Sequence, residues 1–256
     1  MRSFVPCVGL IVLVGCLTLV IAPEPLEDLR RRTVASNHEL PVIVIDPGHG
    51  GNDEGAKRGG VLEKNETLDV ARRLSAILHA YNLRTIMTRD SDRYVPLPER
   101  VDVANRIDNA IFVSIHFNDS NSRSVEGVET YYSDQKVPAQ HEWTWVGFFN
   151  DSTSSTDESE ALAGYIQVAL VSKTNTADRG IKSRRLFVTR NTRCPSALVE
   201  AGFLSNSIER ALLDNGDYRE RLAGGIASGI IEFIKNQPQY TTPVLAIAER
   251  LPENSP

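Results

Sequence analysis

Short apolar runs alternate with longer amphipathic segments from Pro41 to Lys235. The run 42–45 is continuous and β-branched, which is typical of a strand covered on both faces. The segment 66–81 instead places apolar residues at helical spacing, with polar residues between them. The same two patterns predict further strands at 84–88, 111–115, 128–132, 186–189 and 197–199, and further helices at 97–106, 158–173 and 217–235. This alternation predicts an α/β fold with a mostly parallel β-sheet.

The pattern is interrupted once and is flanked by segments of different composition. The stretch 133–157 contains Pro138 and a polar run, which predicts a loop or a short irregular insertion. Residues 23–40 are predicted to be a linker, and the Pro-rich, polar residues 237–256 are predicted to be a C-terminal tail. The body of the chain, 41–236, then has enough apolar residues for one well-buried domain.

The first 22 residues have the pattern of an export signal. A positive charge at Arg2 precedes a nearly uninterrupted apolar run at 8–22, which is too short to span a membrane comfortably. The segment 13–16 (LVGC) also fits a lipobox, in which Cys16 would carry a lipid anchor, whereas cleavage after Ala22 would release a soluble protein. We expect an exported protein of the periplasm or cell envelope, either anchored or cleaved.

Charge and cysteine content argue against a nucleic-acid-binding protein and against a domain stabilised by disulfides. The formal net charge is -5, and no basic stripe of the kind that binds nucleic acid is visible. Cys194 is the single cysteine outside the N-terminal segment, so no disulfide can form within the body. Because Cys194 precedes a proline at the start of a predicted strand, we interpret it as a small loop residue rather than a nucleophile.

Four residues that carry chemistry occupy related places in the predicted fold. His49 follows the first strand, His116 and Glu200 end later strands, and Glu63 stands just ahead of the first helix. The carboxyl ends of parallel strands line one crevice, so these side chains can converge. Two imidazoles and one carboxylate form a ligand set for catalytic zinc, and a second carboxylate could then transfer protons.

Each of these signals has a simpler interpretation when taken alone. A single histidine at a strand end is more often a hydrogen-bonded structural residue. The glycine-rich turn after the first strand could equally bind phosphate at a helix N-terminus. Glu63 and Glu66 would repel a phosphate from that position and would attract a cation.

Four ordered segments resemble one enzyme family. They are VIDPGHGGND with GA at 44–56, LEK at 62–64, SIH at 114–116 and LVEAGFLSN at 198–206. Smaller matches are LPER at 97–100, EGVE at 126–129 and DRGIK at 178–182. Together they resemble the zinc-dependent N-acetylmuramoyl-L-alanine amidases of the amidase 3 family, over nearly the whole body of the chain.

The resemblance implies a fold, an activity and a site. The fold is a single domain with a twisted, mostly parallel sheet flanked by helices on both faces. The activity is hydrolysis of the amide bond between N-acetylmuramic acid and L-alanine in peptidoglycan, during wall remodelling or daughter-cell separation. His49, Glu63 and His116 would bind one Zn²⁺ per chain, and Glu200 would be the catalytic carboxylate. Independently of the resemblance, we expect a monomer.

The remaining polar and aromatic candidates have weaker signals. His38, His79 and His141 are interpreted as surface residues. An aromatic group in the irregular stretch, Trp143, Trp145 and Phe148, could bind substrate or pack the loop onto the body. Arg184, Arg185 and Arg190 could meet the carboxylates of a stem peptide, although solvated surface is the default for such charges.

Two competing functions follow from the same residues. A zinc peptidase acting within the stem peptide would use the same metal chemistry. A wall-binding protein without activity could keep the fold, but it would have no need for Glu200 beside a complete metal site. The residues therefore favour an enzyme.

Overall fold

The structure is a computed structural model that describes residues 40–135 and 152–240, with side chains from 156 onward in the second range. The predicted signal or anchor, Cys16, most of the linker, Trp143, Trp145 and most of the C-terminal tail lie outside the described residues. Among the residues described, no helix is both long and apolar enough to cross a membrane.

The described residues form a six-stranded sheet with the order β4-β1-β5-β8-β6-β7. Neighbouring strands are parallel except for β8 and β6. A separate two-stranded hairpin, β2-β3, follows the first strand. The strands are β1 Val42–Pro47, β2 Lys57–Arg58, β3 Val61–Leu62, β4 Thr85–Met87, β5 Ala110–Asn118, β6 Val128–Tyr132, β7 Asp178–Ser183 and β8 Ser196–Phe203.

Helices cover both faces of this sheet. They are α1 Glu63–Ala80, α2 Leu97–Asn105, α3 Ser152–Thr174, α4 Phe187–Asn191, α5 Ser207–Leu213 and α6 Gly216–Lys235, followed by a 3-10 turn at Pro238–Tyr240. The larger core lies between the sheet and the long helices α1, α3 and α6. A smaller core around Val44, Phe112 and Leu198 lies under α2 and α4. The prediction of an α/β domain with a mostly parallel sheet between helices is confirmed.

Glycines allow α3 and α6 to approach each other closely. A Cβ atom added at Gly229 would lie 2.4 Å from the Cα of Ile166, and one added at Gly225 would lie 2.8 Å from the Cα of Leu170. Neither distance is compatible with a side chain unless the backbone moves. The two glycines, one helical turn apart, therefore form the contact surface of α6 toward α3.

Several predicted elements differ from the structure. The run 186–189 was predicted as a strand, but Phe187–Asn191 is the helix α4. A run of four apolar residues cannot be assigned to strand or helix by periodicity alone, and here the helix covers the smaller core. The helix α3 begins at Ser152, within the stretch predicted to be a loop, and Glu63 is the first residue of α1 rather than the residue ahead of it.

Other elements were not predicted. The strand β7 is polar and partly exposed because it lies at the edge of the sheet, so it lacks the apolar run that marks a buried strand. The short helix α5 has seven residues and each strand of the β2-β3 hairpin has two, which is too short to show a clear apolar periodicity.

Candidate functional site

Three predicted ligand residues meet at the carboxyl edge of the sheet. The Nε2 atom of His49 lies 3.1 Å from Oε1 of Glu63, and the Nδ1 atom of His116 lies 2.9 Å from the same oxygen. The three ligand atoms lie within 4.8 Å of one another. The structure thus brings together His49 and His116, which are 67 positions apart in the sequence.

The loop that follows β1 places His49 through an uncommon backbone conformation. His49 has a φ of 60°, in the left-handed region that side chains rarely adopt. Gly48 passes so close to His116 that a Cβ atom there would lie 2.3 Å from the ring. Gly55 has a φ of 65° and would collide with Glu63 and His49 in the same way. Both glycines are therefore required by the close packing around the site.

Two buried arginines hold this loop in place. Arg100 donates hydrogen bonds to the carbonyl oxygens of Pro47 and His49, both at 2.7 Å, and forms an ion pair of 2.8 Å with Asp46. Arg89 donates to the carbonyl oxygens of Pro47, at 3.0 Å, and Gly48, at 2.7 Å. We call Arg89 and Arg100 the arginine clamp. Sequence reasoning assigned neither a role, although Arg100 lies in the LPER segment that supports the family resemblance.

Hydrogen bonds from neighbouring groups orient two of the candidate ligand residues, His49 and Glu63. Asp53 lies 3.0 Å from Nδ1 of His49 and can accept the proton of that nitrogen, so Nε2 is the atom available to bind a metal ion. The second oxygen of Glu63 accepts from the backbone N–H of Ala56 at 2.8 Å, and its first oxygen accepts from the N–H of Phe117 at 3.0 Å. Sequence reasoning did not assign Asp53.

The chemistry of this donor set fits a metal cation. Burial tends to lower the pKa of His49, but the carboxylates of Glu63 and Asp53 outweigh it and raise the pKa. Burial tends to raise the pKa of Glu63, yet hydrogen bonds from His116 and His49 hold it far below its usual range. Glu63 is therefore ionised, and the site attracts positive charge. Two imidazole nitrogens and one carboxylate around a common point are the ligands that zinc prefers.

Glu200 lies beside this cluster and has a different environment. It is the register partner of His116 between β5 and β8, so the two side chains share a face of the sheet. Among the described residues, its Oε2 atom is buried without a hydrogen-bond partner. Burial, together with the charges of Glu63 and Glu129, raises the pKa of Glu200 well above its usual value. Glu200 is thus a carboxyl group that readily holds a proton.

A second glutamate next to Glu200, Glu129, has a lowered rather than a raised pKa. Glu129 pairs with Glu200 across β6 and β8 and accepts hydrogen bonds from Asn118, Tyr131, Arg179 and Lys182. Burial acts to raise its pKa, but these donors lower the pKa of Glu129 to about 2. Glu129 stays ionised and fully hydrogen-bonded, so it is unsuited to transferring protons.

The cluster opens into a groove with one apolar wall. A cavity of about 390 Å³ is lined by His49, His116 and Asp53. Its rim includes Tyr94 and Phe187, which are 53% and 43% exposed although both are aromatic. Exposed aromatic side chains beside a polar site are typical of a ligand-binding groove.

The other residues considered from the sequence lie elsewhere. His79 is exposed on α1 and is hydrogen-bonded to Thr85 at 2.8 Å. Cys194 is partly buried against the smaller core. His38 and His141 fall outside the described part of the chain, and so does Phe148.

Fold and site together define a class: an α/β protein with a two-histidine, one-glutamate cluster and a separate buried carboxylate at the carboxyl edge of its sheet. This is the donor arrangement of metal-dependent hydrolases. The family model described as N-acetylmuramoyl-L-alanine amidase, amidase 3, matches residues 43–232, and the chain belongs to that family. The resemblance inferred from the sequence is confirmed.

Individual relatives agree with the family match. The chain is 34% identical over 206 residues to the N-acetylmuramoyl-L-alanine amidase LytC of Bacillus subtilis; the match covers 79% of this chain but 38% of that protein. Among solved structures, an N-acetylmuramoyl-L-alanine amidase of Clostridium difficile 630 has a TM-score of 0.67 at 31% identity, covering 77% of this chain and 98% of that one. The catalytic domain of the amidase CwlV, from Bacillus (Paenibacillus) polymyxa, has a TM-score of 0.66 at 34% identity, covering 77% and 100%.

Proposed function

We propose that this chain hydrolyses the amide bond between N-acetylmuramic acid and the L-alanine of the stem peptide in peptidoglycan. The observation that supports this most is the pairing of two unlike groups at one edge of the sheet: a cation-attracting cluster of His49, Glu63 and His116, and beside it Glu200, whose carboxyl group has a raised proton affinity and one buried, unpaired oxygen. Hydrolysis of an unactivated amide needs both a polarised carbonyl and a group that moves protons.

The three clustered residues would hold one zinc ion. When bound, zinc polarises a carbonyl oxygen and lowers the pKa of a water molecule. Asp53 would fix the tautomer of His49, so that Nε2 is the ligand atom. The backbone N–H groups of Ala56 and Phe117 would keep the Glu63 carboxylate oriented.

Glu200 would manage the protons of the reaction. Its raised pKa and its free oxygen suit it to take a proton from the attacking water and to deliver that proton to the leaving amine of L-alanine. Glu129, whose oxygens accept hydrogen bonds from four donors, would stay ionised and take no part in proton transfer.

The location of the protein is a further part of the proposal. The apolar run at 8–22 and the lipobox-like LVGC at 13–16 support export of the protein and its anchoring in the envelope through Cys16. Fractionation of a bacterial host should find the protein at least partly with membranes. Exclusively soluble protein beginning at or after Pro23 would rule the anchor out.

Mass spectrometry of digested peptidoglycan tests the activity. We expect soluble stem peptides whose new free amine belongs to L-alanine, formed by the zinc-loaded full chain and not after chelation. A new amine on any other residue would identify a peptidase instead. Binding to the wall without release of peptides would identify a protein that binds peptidoglycan only.

A further inference from the structure

Arg184 directly follows β7, two residues before Leu186, which lines the groove. Its backbone N–H donates to the carbonyl oxygen of Tyr132 at 2.8 Å, which fixes the start of this side chain. The guanidinium lies over the ring of Tyr131, with its carbon 5.6 Å from the ring centroid. Cation–π contact of this kind holds an arginine without using its N–H donors.

The platform beneath Arg184 is itself rigid. Tyr131 is buried, and its hydroxyl donates to Oε1 of Glu129 at 2.6 Å. Glu129 is buried as well and is anchored by Asn118 and Arg179. A guanidinium stacked on such a platform loses little additional conformational freedom when it binds a ligand.

Three cations lie around Glu129 and Tyr131. Arg179 and Lys182 both contact Glu129, so two cations share one ionised carboxylate. Arg184 adds a third cation, and within the described ranges no carboxylate lies within 4.0 Å of it. Arg184 is also near enough to act on the charge of Glu200. An anionic group of a substrate at the catalytic site would therefore find an available donor here.

We infer that Arg184 binds a carboxylate on the peptide side of the scissile amide and so favours stem peptides with a free acid close to L-alanine. This inference rests on the proposed function and assigns the substrate's orientation. A guanidinium can donate two parallel hydrogen bonds to a carboxylate, but an uncharged carboxamide offers it one acceptor oxygen and no charge. The exposed aromatic ring of Tyr94, in another segment of the groove lining, suits the uncharged sugar.

Two synthetic N-acetylmuramoyl peptides test the inference, identical except that the residue after L-alanine carries a free α-carboxylate or a carboxamide. We expect the wild-type enzyme to prefer the acid by about tenfold or more in kcat/KM. Arg184→Ala should remove this preference, chiefly by raising KM for the acid, while KM for the carboxamide changes little. Arg184→Lys should retain part of the preference.

Arg185→Ala is the matched control, because Arg185 is an exposed neighbour on the same segment, and it should keep the full preference. The inference is overturned if Arg184→Ala keeps the preference, if it loses activity on both substrates equally, or if the wild type does not distinguish them. If the wild type releases L-alanine-terminated peptide from neither substrate nor from peptidoglycan, the proposed function itself fails.

Discussion

At the scale of single residues, the site depends on side chains that orient the ligands as much as on the ligands. The types and order of His49, Glu63, His116 and Glu200 could be predicted because the sequence places them at strand and helix ends. The role of Asp53 could not be predicted. Its contact with His49 exists only because the intervening loop adopts an irregular path, with His49 at positive φ.

Asp53→Ala is therefore expected to weaken zinc binding by about 10–100-fold, because His49 loses the acceptor that fixes its tautomer and ring orientation. Zinc affinity measured by competition with a chelator tests this. Glu54→Ala is the control, since the side chain of Glu54 is next in sequence but pairs with Lys57 on the surface. Equal affinity of Asp53→Ala and Glu54→Ala would refute the role.

At the scale of elements, prediction from the sequence succeeded where all residues of an element share one environment, such as full burial. The strand β1 is buried along its whole length, and its first four residues form an uninterrupted apolar run. The strand β7 was not predicted and the helix α4 was predicted as a strand. The edge position of β7 and the packing of α4 on the smaller core both depend on tertiary neighbours. The roles of the two clamp arginines were also not predicted, since an arginine in a loop, such as Arg89, or in an amphipathic helix, such as Arg100, is normally solvated.

Removing one arm of the clamp should loosen the His49 loop. Arg100→Met leaves Asp46 buried without its cation and removes two hydrogen bonds to loop carbonyls, so we expect a loss of about 3–5 kcal/mol in the free energy of unfolding. Denaturant unfolding of the metal-free protein measures it. Arg106→Met, at the exposed end of the same helix, should change stability by no more than about 0.5 kcal/mol. Similar losses in both variants would contradict the clamp.

At the scale of the whole domain, the order of the strands in the sheet and the packing of the helices over it could not be predicted from the sequence. Alternating strands and helices predict parallel pairing, but they do not specify that β6 runs antiparallel to β8. That reversal places Glu129 opposite Glu200, and β7 then brings Arg179 and Lys182 into contact with Glu129. The close packing of α3 on α6 likewise depends on which face of α6 carries glycine.

Two glycines of α6 should respond oppositely to the same substitution. Gly229→Ala would place a methyl group against the backbone of Ile166 and should destabilise the fold by about 1–3 kcal/mol. Gly224→Ala meets nothing within 4 Å and should stabilise it by up to about 1 kcal/mol, because alanine favours a helix. Thermal unfolding of both variants gives the comparison. Equal shifts would show that α3 and α6 do not pack as described.

The division of labour between three zinc ligands and one proton-transfer group is tested most directly by the rate of peptidoglycan hydrolysis per bound zinc in Glu200→Gln. Glutamine keeps the size of the side chain but cannot take a proton from water, so we expect wild-type zinc content and a rate lower by about 10²–10⁴-fold. His116→Ala should instead lose zinc and activity together. A Glu200→Gln enzyme that hydrolyses peptidoglycan at nearly the wild-type rate, or that loses its zinc as His116→Ala does, would contradict the account.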